Sequence, residues 1–287
     1  MTEEVPGPRL AVLGAGVMGV SITTLALGRG VPVVLVETDP AKRADAPARI
    51  ARELRTAQLM GVRMEEPRGE LVTTASAADC AGADVVIEAI TEEAGLKAAV
   101  LTEVAAAVGT GTALVTNTSS IPVDELAEKL PHPENLLGVH FMNPTYLIGT
   151  VEVIRGSRTA QTAVDSVRRL LTALDRRGVL VGDGPGFVTS RVLHRMINDA
   201  ARVVEEGRAC AEDVDTLMQE CLGHRTGPLR TADLIGIDNL VDSLWVLHQR
   251  TGDEGCRPCD LLLQKVRDGE HGRKTGQGFY TYTGVVS

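Results

Sequence analysis

A histidine and a glutamate twelve residues apart have the types and spacing of an acid–base pair. His140 closes the strand-like run Leu136–Phe141, and Glu152 lies inside the next such run, Val151–Ile154. Two strands joined by the intervening turn would present both side chains together. Histidine titrates near neutral pH, so it suits the removal of a hydroxyl proton while hydride leaves the carbon, and a partner carboxylate fixes its tautomer. The pair predicts a base for alcohol oxidation, with a structural histidine at a strand end as the alternative.

A glycine-rich segment near the start of the chain supplies a second candidate site. Gly14-Ala15-Gly16-Val17-Met18-Gly19 follows an apolar strand-like run and begins an apolar helical stretch. Gly14 permits a tight turn, Gly16 lets the backbone approach a pyrophosphate, and Gly19 lets the helix pack on the strand. The first N–H groups of the helix then face the anion. The segment predicts a dinucleotide-binding turn, with a glycine turn that binds nothing as the alternative.

The position of Glu37 indicates which nicotinamide cofactor, NAD or NADP, the site prefers. It follows the strand-like run Val31–Val36 and stands 23 residues after Gly14. A carboxylate at this position accepts hydrogen bonds from the adenosine ribose and repels a 2′-phosphate, which favours NAD over NADP. FAD enzymes share the glycine motif, but the rest of the chain is short for the usual flavoprotein architecture.

Short β-branched runs alternate with Ala-rich helical stretches over the first two-thirds of the chain. The runs are Leu10–Leu13, Val31–Val36, Leu71–Thr74, Asp84–Ala89, Ala113–Asn117, Leu136–Phe141, Val151–Ile154 and Val179–Val181. This alternation predicts βαβ units with parallel, buried strands. Ligands collect at the carboxyl ends of such strands, where the segment Asn117–Ser120 also stands.

Beyond a Gly- and Pro-rich break at residues 182–186, helical spacing of apolar residues replaces the alternation. The helical stretches are Phe187–Gly207, Ala211–Leu222, Thr231–His248 and Leu261–Val266. We therefore predict an α/β Rossmann-type N-terminal domain with a parallel-rich sheet, followed by an all-α C-terminal domain. The expected division is an NAD-binding domain over residues 1–184 and a helical substrate or dimerisation domain over residues 185–287.

Composition disfavours several other classes of protein. The formal net charge of −9 and the 2% aromatic content argue against a nucleic-acid partner, which needs cationic surface and stacking platforms. No run of 18 apolar residues and no signal-like start is present, so we expect no membrane span and a cytoplasmic location. The five cysteines fit reduced thiols. Cys256 and Cys259 form a C-x-x-C without a second ligand pair, so no metal site is predicted.

With these motifs in place, the chain resembles the 3-hydroxyacyl-CoA dehydrogenase family over nearly its whole length. The matching segments, in order and at the family's spacing, are Gly14–Gly19, Ala83–Thr91, Asn117–Ser120, Gly138–Pro144, Val151–Ile154, Pro185–Phe187, Gly227–Pro228 and Gly272–Phe279. The resemblance implies NAD as the cofactor, an acyl thioester substrate, and a helical domain through which the protein forms a homodimer.

The resemblance also implies roles for single residues. His140 would be the base, oriented by Glu152, while Ser119 would hold a substrate oxygen and Asn143 would position the nicotinamide. Further NAD contacts are implied for Glu37, Glu92, Lys97 and Lys274. Without the resemblance, Glu92, Lys97 and Lys274 are expected to be solvated.

Three segments depart from the family pattern. Ser190, in the sequence PGFVTSR, stands where the family has a substrate-site asparagine. Asn143–Gly149 (NPTYLIG) replaces the usual N-P-V-P-x-M-K and is more like relatives that act on small polar hydroxy acids. The second helical stretch has arginines where typical members have lysines for the CoA nucleotide, and arginine also binds phosphates. These arginines are Arg43, Arg49, Arg52 and Arg55.

The reaction expected from the resemblance is NAD-dependent oxidation of a 3-hydroxyacyl thioester to the 3-oxoacyl thioester. Gly223–Leu244 resembles a subgroup that oxidises a glyceryl unit on an acyl carrier protein, on the route to hydroxymalonyl or methoxymalonyl polyketide extender units. CoA and acyl carrier protein therefore both stay open as the thioester partner. A small free hydroxy acid is a further alternative substrate, and a non-enzymatic NAD-binding protein is the competing class.

Overall fold

The computed structural model describes residues 7–282 and divides them into two compact units, with the division between Gly184 and Pro185. Within the described part, the first unit has a sheet of eight strands. The strands are β1 (Leu10–Leu13), β2 (Val33–Val36), β3 (Leu71–Thr74), β4 (Val85–Glu88), β5 (Ala113–Thr116), β6 (Leu136–His140), β7 (Thr150–Arg155) and β8 (Arg177–Gly182). Its helices are α1 (Val17–Gly28), α2 (Pro40–Leu59), α3 (Ala94–Ala107), α4 (Val123–Ala127) and α5 (Gln161–Ala173).

The strand order of the sheet is β3-β2-β1-β4-β5-β6-β7-β8. Every neighbouring pair is parallel except β6 and β7, which are antiparallel. Between β1 and β4 the direction of winding reverses, and ligands of doubly wound sheets bind at the carboxyl ends of strands flanking such a point. The predicted fold class, a Rossmann-type unit with a parallel-rich sheet, is confirmed.

The aliphatic strand runs are explained by burial on both faces of the sheet. Every residue of β1, β4, β5 and β6 is buried. Central parallel strands lie between two helical layers, so their sequences show no polar alternation. The helices α1 and α5 contribute the apolar side chains that pack on the sheet.

The second unit is helical over its described part. It contains α6 (Thr189–Glu205), α7 (Ala211–Glu220), α8 (Pro228–Ile235), α9 (Ile237–Thr251) and α10 (Asp260–Arg267) around a core that includes Ile197, Leu229, Leu240 and Leu244. The prediction of one helical stretch over residues 231–248 is wrong. Gly236 has φ of 95°, a left-handed conformation that a right-handed helix cannot contain, so α8 ends there and α9 begins anew.

Two buried aspartates fasten the last described segment of the second unit. Asp215 accepts hydrogen bonds from the N–H groups of Leu229 and Arg230, at 2.8 and 2.9 Å, and from the Tyr280 hydroxyl at 2.8 Å. Asp233 accepts from Phe279 N, Tyr280 N and the Tyr282 hydroxyl. Both carboxylates therefore fix backbone positions. Among the described helices, none combines the length and the apolar character required to cross a membrane.

Candidate active site

A cavity of about 750 Å³ lies at the carboxyl ends of the central strands of the first unit. We call it the strand-end cavity. Its lining includes residues predicted for cofactor binding and for catalysis: Gly14, Gly16, Val17, Met18, Glu37, Glu92, Lys97, Ser119 and His140. The fold thus brings the glycine turn, the predicted base and the Asn117–Ser120 segment to one place.

The glycine turn has room for a pyrophosphate. Gly14 has φ of 96°, and a Cβ atom on Gly19 would collide with the Gly14 carbonyl oxygen, so both positions require glycine. Gly16 precedes α1 without a capping side chain, and a Cβ atom built there meets nothing within 4 Å. The first N–H groups of α1 are therefore uncapped beside open space, which is the arrangement that binds an anion.

Glu37 is held rigidly at the edge of the strand-end cavity. Its Oε2 accepts a hydrogen bond from Ala15 N at 2.8 Å, and its Oε1 accepts from Asp39 N at 2.9 Å. The N–H groups of Lys42 and Ala41 lower the pKa of Asp39, which also lines the cavity. Two carboxylates therefore border the position expected for the adenosine ribose, an arrangement that disfavours a 2′-phosphate.

His140 and Glu152 form the pair that the sequence predicts. They are direct partners in the antiparallel β6–β7 register, and the distance from His140 Nδ1 to Glu152 Oε2 is 2.9 Å. Their exposed fractions are 7% and 6%. A carboxylate oxygen accepts hydrogen bonds, so Nδ1 is the donor of this bond, and in the neutral form of the ring the lone pair is then on Nε2. This is the tautomer of a general base.

A buried ion pair lies beneath the same cavity. Lys97 is 1% exposed and donates to Glu88 Oε1 at 2.5 Å, while Glu88 is 0% exposed and also accepts from Thr116 Oγ1 at 2.7 Å. Lys97 Nζ lies 3.2 Å from Glu92 Oε2. The expectation from the residues alone that Lys97 is solvated is therefore wrong, because the strand residue Glu88 neutralises it in the interior.

Glu92 connects this ion pair to the Asn117–Ser120 segment. Its Oε1 accepts from Thr118 Oγ1 at 2.5 Å and from Ser119 N at 3.0 Å, and it lies 3.5 Å from Ser119 Oγ. Burial acts to raise the pKa of Glu92, but Lys97 and the hydrogen bonds from Thr118 and Ser119 outweigh it, so the net pKa is lowered. Glu92 is ionised at neutral pH and fixes the backbone around Ser119.

From the sequence alone, no role is assigned to Glu88, and Asn117 appears only as the first residue of the segment Asn117–Ser120. In the sequence, Glu88 is a single polar residue at the end of an apolar strand. Its partner Lys97 lies in a separate helix, so the pattern along the chain does not show that the two are in contact. Asn117 lines the strand-end cavity, and its Oδ1 accepts a hydrogen bond from Phe141 N at 3.0 Å. Its position at the carboxyl end of β5 was the available signal.

Other predicted residues lie outside the lining of the strand-end cavity. Asn143 is exposed in the loop after β6, where Thr145 is held by Ser21 and Arg176. Ser190 is buried in the first turn of α6. Lys274 pairs with Asp238 at 2.6 Å, and its side chain is 46% exposed, in line with the solvated expectation. Ser190 and Lys274 both belong to the second unit.

The arginines of α2 and the C-x-x-C cysteines have different surroundings. Arg49 donates to the Ala15 carbonyl at 2.7 Å and so braces the glycine turn, whereas Arg52 and Arg55 are exposed. Cys256 and Cys259 are buried thiols, and burial raises the pKa of both. Residues 7–282 contain no group of three or more His, Cys, Asp or Glu side chains placed to hold a metal ion.

A Rossmann-type unit with a glycine turn, an acidic second strand end and a buried His–Glu pair defines the class of nicotinamide-dependent dehydrogenases. Sequence comparison specifies the family. Residues 9–184 match the 3-hydroxyacyl-CoA dehydrogenase NAD binding domain, and residues 186–282 match the C-terminal domain of the same family. The chain therefore belongs to the 3-hydroxyacyl-CoA dehydrogenase family.

Individual relatives are similar along their full lengths. A probable 3-hydroxybutyryl-CoA dehydrogenase of Bacillus subtilis is 36% identical over 278 residues, which cover 96% of this chain and 97% of the relative. The 3-hydroxybutyryl-CoA dehydrogenase of Bradyrhizobium diazoefficiens is 34% identical, with 96% of each chain covered.

Solved structures agree with this similarity. M. tuberculosis FadB2 superposes with a TM-score of 0.92 at 33% identity, covering 97% of this chain and all of the other. The (S)-3-hydroxybutyryl-CoA dehydrogenase PaaH1 of Ralstonia eutropha gives a TM-score of 0.89 at 34% identity with the same coverage. The predicted family and the predicted cofactor, NAD, are confirmed.

Proposed function

We propose that this protein oxidises a 3-hydroxyacyl thioester to the 3-oxoacyl thioester, with His140 as the general base. The observation that carries the proposal is that His140, held by Glu152 in the basic Nε2 tautomer, lines the same cavity as the glycine turn. A base beside a dinucleotide site is the minimum machinery for oxidising an alcohol.

The proton and the hydride leave the substrate for different acceptors. His140 Nε2 takes the hydroxyl proton as the C3–H bond breaks and the C3–O bond becomes a carbonyl, and Glu152 stabilises the imidazolium that forms. NAD, when bound, supplies the acceptor for the hydride. In the reverse direction, His140 returns the proton to the C3 oxygen.

The pyrophosphate of NAD would bind at the uncapped N-terminus of α1 and at the glycine turn, which together comprise Gly14, Gly16, Val17, Met18 and Gly19. Glu37 would accept hydrogen bonds from the hydroxyl groups of the adenosine ribose. Glu92 and Lys97 line the same cavity, and we propose that they border the nicotinamide half. Asn143 and Lys274 are proposed as further NAD contacts on the family resemblance alone.

For the substrate, we propose that Ser119 contacts the reacting end and that Ser190 takes the place of the family's asparagine. A serine hydroxyl is shorter than an asparagine amide, so a short polar acyl group fits this exchange. The names of the relatives favour a CoA thioester. A glyceryl or similar group on an acyl carrier protein is the second candidate, favoured by Ser190 and the altered loop of residues 143–149.

We further propose that residues 1–184 are the NAD-binding domain and that residues 185–287 carry substrate contacts and a homodimer interface. Support for the interface comes from apolar residues on α6 and α7 that solvent reaches, Val192 at 63% and Leu217 at 57% exposure. Val192 lies in a groove whose apolar lining also includes Met196, Val203, Val214 and Met218, beside the charged residues Arg191, Arg195 and Asp199. A monomer rarely exposes such a patch without a partner.

Parallel assays test the proposal. The purified enzyme is given NADH with acetoacetyl-CoA, and NAD with either 3-hydroxybutyryl-CoA or a glyceryl–acyl carrier protein, while absorbance of NADH is followed. Oxidation or reduction of at least one thioester is expected, and the faster of the two hydroxyacyl donors identifies the thioester partner. Absence of turnover with every thioester, together with intact NADH binding, would contradict the proposal in favour of a non-enzymatic NAD-binding protein.

A further inference from the structure

We infer that Asn117 is a second catalytic residue, which donates a hydrogen bond from its amide to the reacting C3 oxygen of the substrate. The inference rests on the proposed function, because it needs a 3-oxo or 3-hydroxy group beside His140. It starts from the placement of Asn117 at the carboxyl end of β5, in the lining of the strand-end cavity together with His140 and Ser119.

The orientation of the Asn117 amide is determined by its neighbour. Phe141 N lies 3.0 Å from the Asn117 oxygen, and a backbone N–H can only donate, so the atom facing it is the carbonyl Oδ1. The Nδ2 group then points the other way. Within residues 7–282, no protein group accepts a hydrogen bond from Nδ2. The amide is thus fixed at its acceptor end and has two donor hydrogens available beside the cavity.

The competing donor, Ser119, is less suited to this task. Its hydroxyl lies 3.5 Å from Glu92 Oε1, and its N–H donates to the same oxygen at 3.0 Å. Glu92 Oε1 also accepts from Thr118 Oγ1 at 2.5 Å and from Ser120 Oγ at 3.1 Å, so it does not fix the direction of the Ser119 hydroxyl. That hydroxyl rotates and can either donate or accept, so it is not a preoriented donor to the C3 oxygen. The Asn117 amide is neutral, cannot lose a proton and keeps its donors for the substrate at any working pH.

A fixed donor at this position has a clear chemical use. When the 3-oxo group is reduced, negative charge develops on the C3 oxygen before the proton arrives from His140. A preoriented N–H donor stabilises that charge more in the transition state than in the ground state, because the donor does not have to reorganise. The hydrogen bond from Phe141 N, on the residue after His140, also fixes the position of the donor relative to the base.

Asn117→Asp is the most informative variant, since the carboxylate still accepts from Phe141 N but offers no amide donor. Asn117→Ala removes the donor without adding charge. Asn135→Asp is the matched control, because the half-buried Asn135 also uses its amide in one hydrogen bond to the backbone, to the Thr110 carbonyl, and is absent from the cavity lining. For Asn117→Asp and Asn117→Ala we expect reduction of acetoacetyl-CoA to fall about 100-fold, as on removal of one oxyanion donor, with NADH binding retained.

A spectroscopic readout separates a direct contact from a structural one. Acetoacetyl-CoA labelled with ¹³C at C3 is bound to the enzyme without NADH, and the C3 chemical shift is recorded. In the wild-type enzyme the donor polarises the carbonyl and moves the signal downfield. In both Asn117 variants the signal should return toward its value in free acetoacetyl-CoA, while Asn135→Asp should match the wild type.

The outcomes distinguish this inference from the function on which it rests. An active wild-type enzyme whose Asn117 variants keep the wild-type rate and the downfield C3 signal overturns the role of Asn117 alone. Loss of NADH binding in step with activity assigns Asn117 to the cofactor and also overturns it. If the wild-type enzyme neither binds nor reduces acetoacetyl-CoA and also turns over no other thioester, the proposed function is overturned together with the inference.

Discussion

Buried carboxylates have different partners in the two units. In the first unit, Glu152 contacts His140 and Glu88 contacts Lys97, and both of these partners line the strand-end cavity. In the second unit, Asp215 and Asp233 accept hydrogen bonds from backbone N–H groups and tyrosine hydroxyls, none of which belongs to that lining.

The comparison shows that burial of a charge does not by itself identify a functional residue. Burial raises the pKa of Asp233, and the hydrogen bonds it accepts compensate only in part. Such a carboxylate orders the chain, so its loss should weaken folding. A carboxylate that is hydrogen-bonded to a histidine ring instead determines which ring nitrogen carries the proton, so its loss should lower the rate of turnover.

The largest expected effect is that of Glu152→Gln. The amide keeps the shape of the side chain but can present either an acceptor or a donor to His140 Nδ1, so the basic Nε2 tautomer and the imidazolium both lose support. We expect turnover of the thioester to fall about 10²–10⁴-fold while the enzyme still binds NADH. Steady-state assays and NADH fluorescence titration measure the two quantities.

The control for this variant is Glu128→Gln, the same exchange at an exposed residue after α4. It should leave both quantities unchanged. If Glu152→Gln kept more than a tenth of the wild-type turnover, Glu152 would be a structural carboxylate like Asp215.

The next effect concerns folding rather than chemistry. Lys97→Met leaves the wholly buried Glu88 without its cation, and removal of one partner of a buried pair costs about 3–5 kcal/mol of the free energy of unfolding. The double variant Glu88→Gln with Lys97→Met is neutral in the interior and should recover most of that loss. Urea denaturation of the single and the double variant tests this, with Lys129→Met at an exposed position as the control. An unchanged denaturation midpoint for Lys97→Met would contradict it.

A smaller effect on stability is expected for Asp215→Asn. The amide retains one acceptor oxygen where the carboxylate had two, so at least one of the bonds from Leu229, Arg230 and Tyr280 is lost, at a cost of about 1–3 kcal/mol. Turnover per folded molecule should not change, in contrast to Glu152→Gln. Thermal unfolding and active-site-normalised assays give the two values, with Asp242→Asn at an exposed position of α9 as control. Loss of turnover in a fully folded Asp215→Asn protein would place Asp215 in the active site.

The smallest effect expected is a change in cofactor preference. Glu37→Ala removes one of the two carboxylates at the ribose end of the cavity, so discrimination against NADPH should narrow by about tenfold, or roughly 1.4 kcal/mol. Competitive binding of NADH and NADPH measures this ratio, and Asp45→Ala, at an exposed position of α2, is the control. An unchanged ratio would remove Glu37 as the discriminating residue.

The sheet and the His140–Glu152 pair were accessible from the sequence for a physical reason. Buried parallel strands need uninterrupted β-branched runs, and two such runs joined by a connection as brief as residues 141–149 are expected to pair and to place facing residues together. The glycine turn was equally clear, because each of its glycines meets a separate steric demand.

Other features depended on packing that a linear sequence does not display. Glu88 and Lys97 are nine residues apart in a strand and a helix, and only the way that helix packs brings them into contact. The function inferred for Asn117 depends on an N–H group of the neighbouring strand end, at Phe141. Gly236 fits a helical pattern by composition, and only its positive φ shows that it separates α8 from α9.

The most direct test of the account is His140→Ala, assayed for NADH binding and for thioester turnover in the same preparation. His140 lines the strand-end cavity but does not belong to the glycine turn, so the account predicts NADH binding close to wild type and a loss of turnover of about 10²–10⁴-fold. Turnover within tenfold of wild type would show that another group is the base and would contradict the central claim.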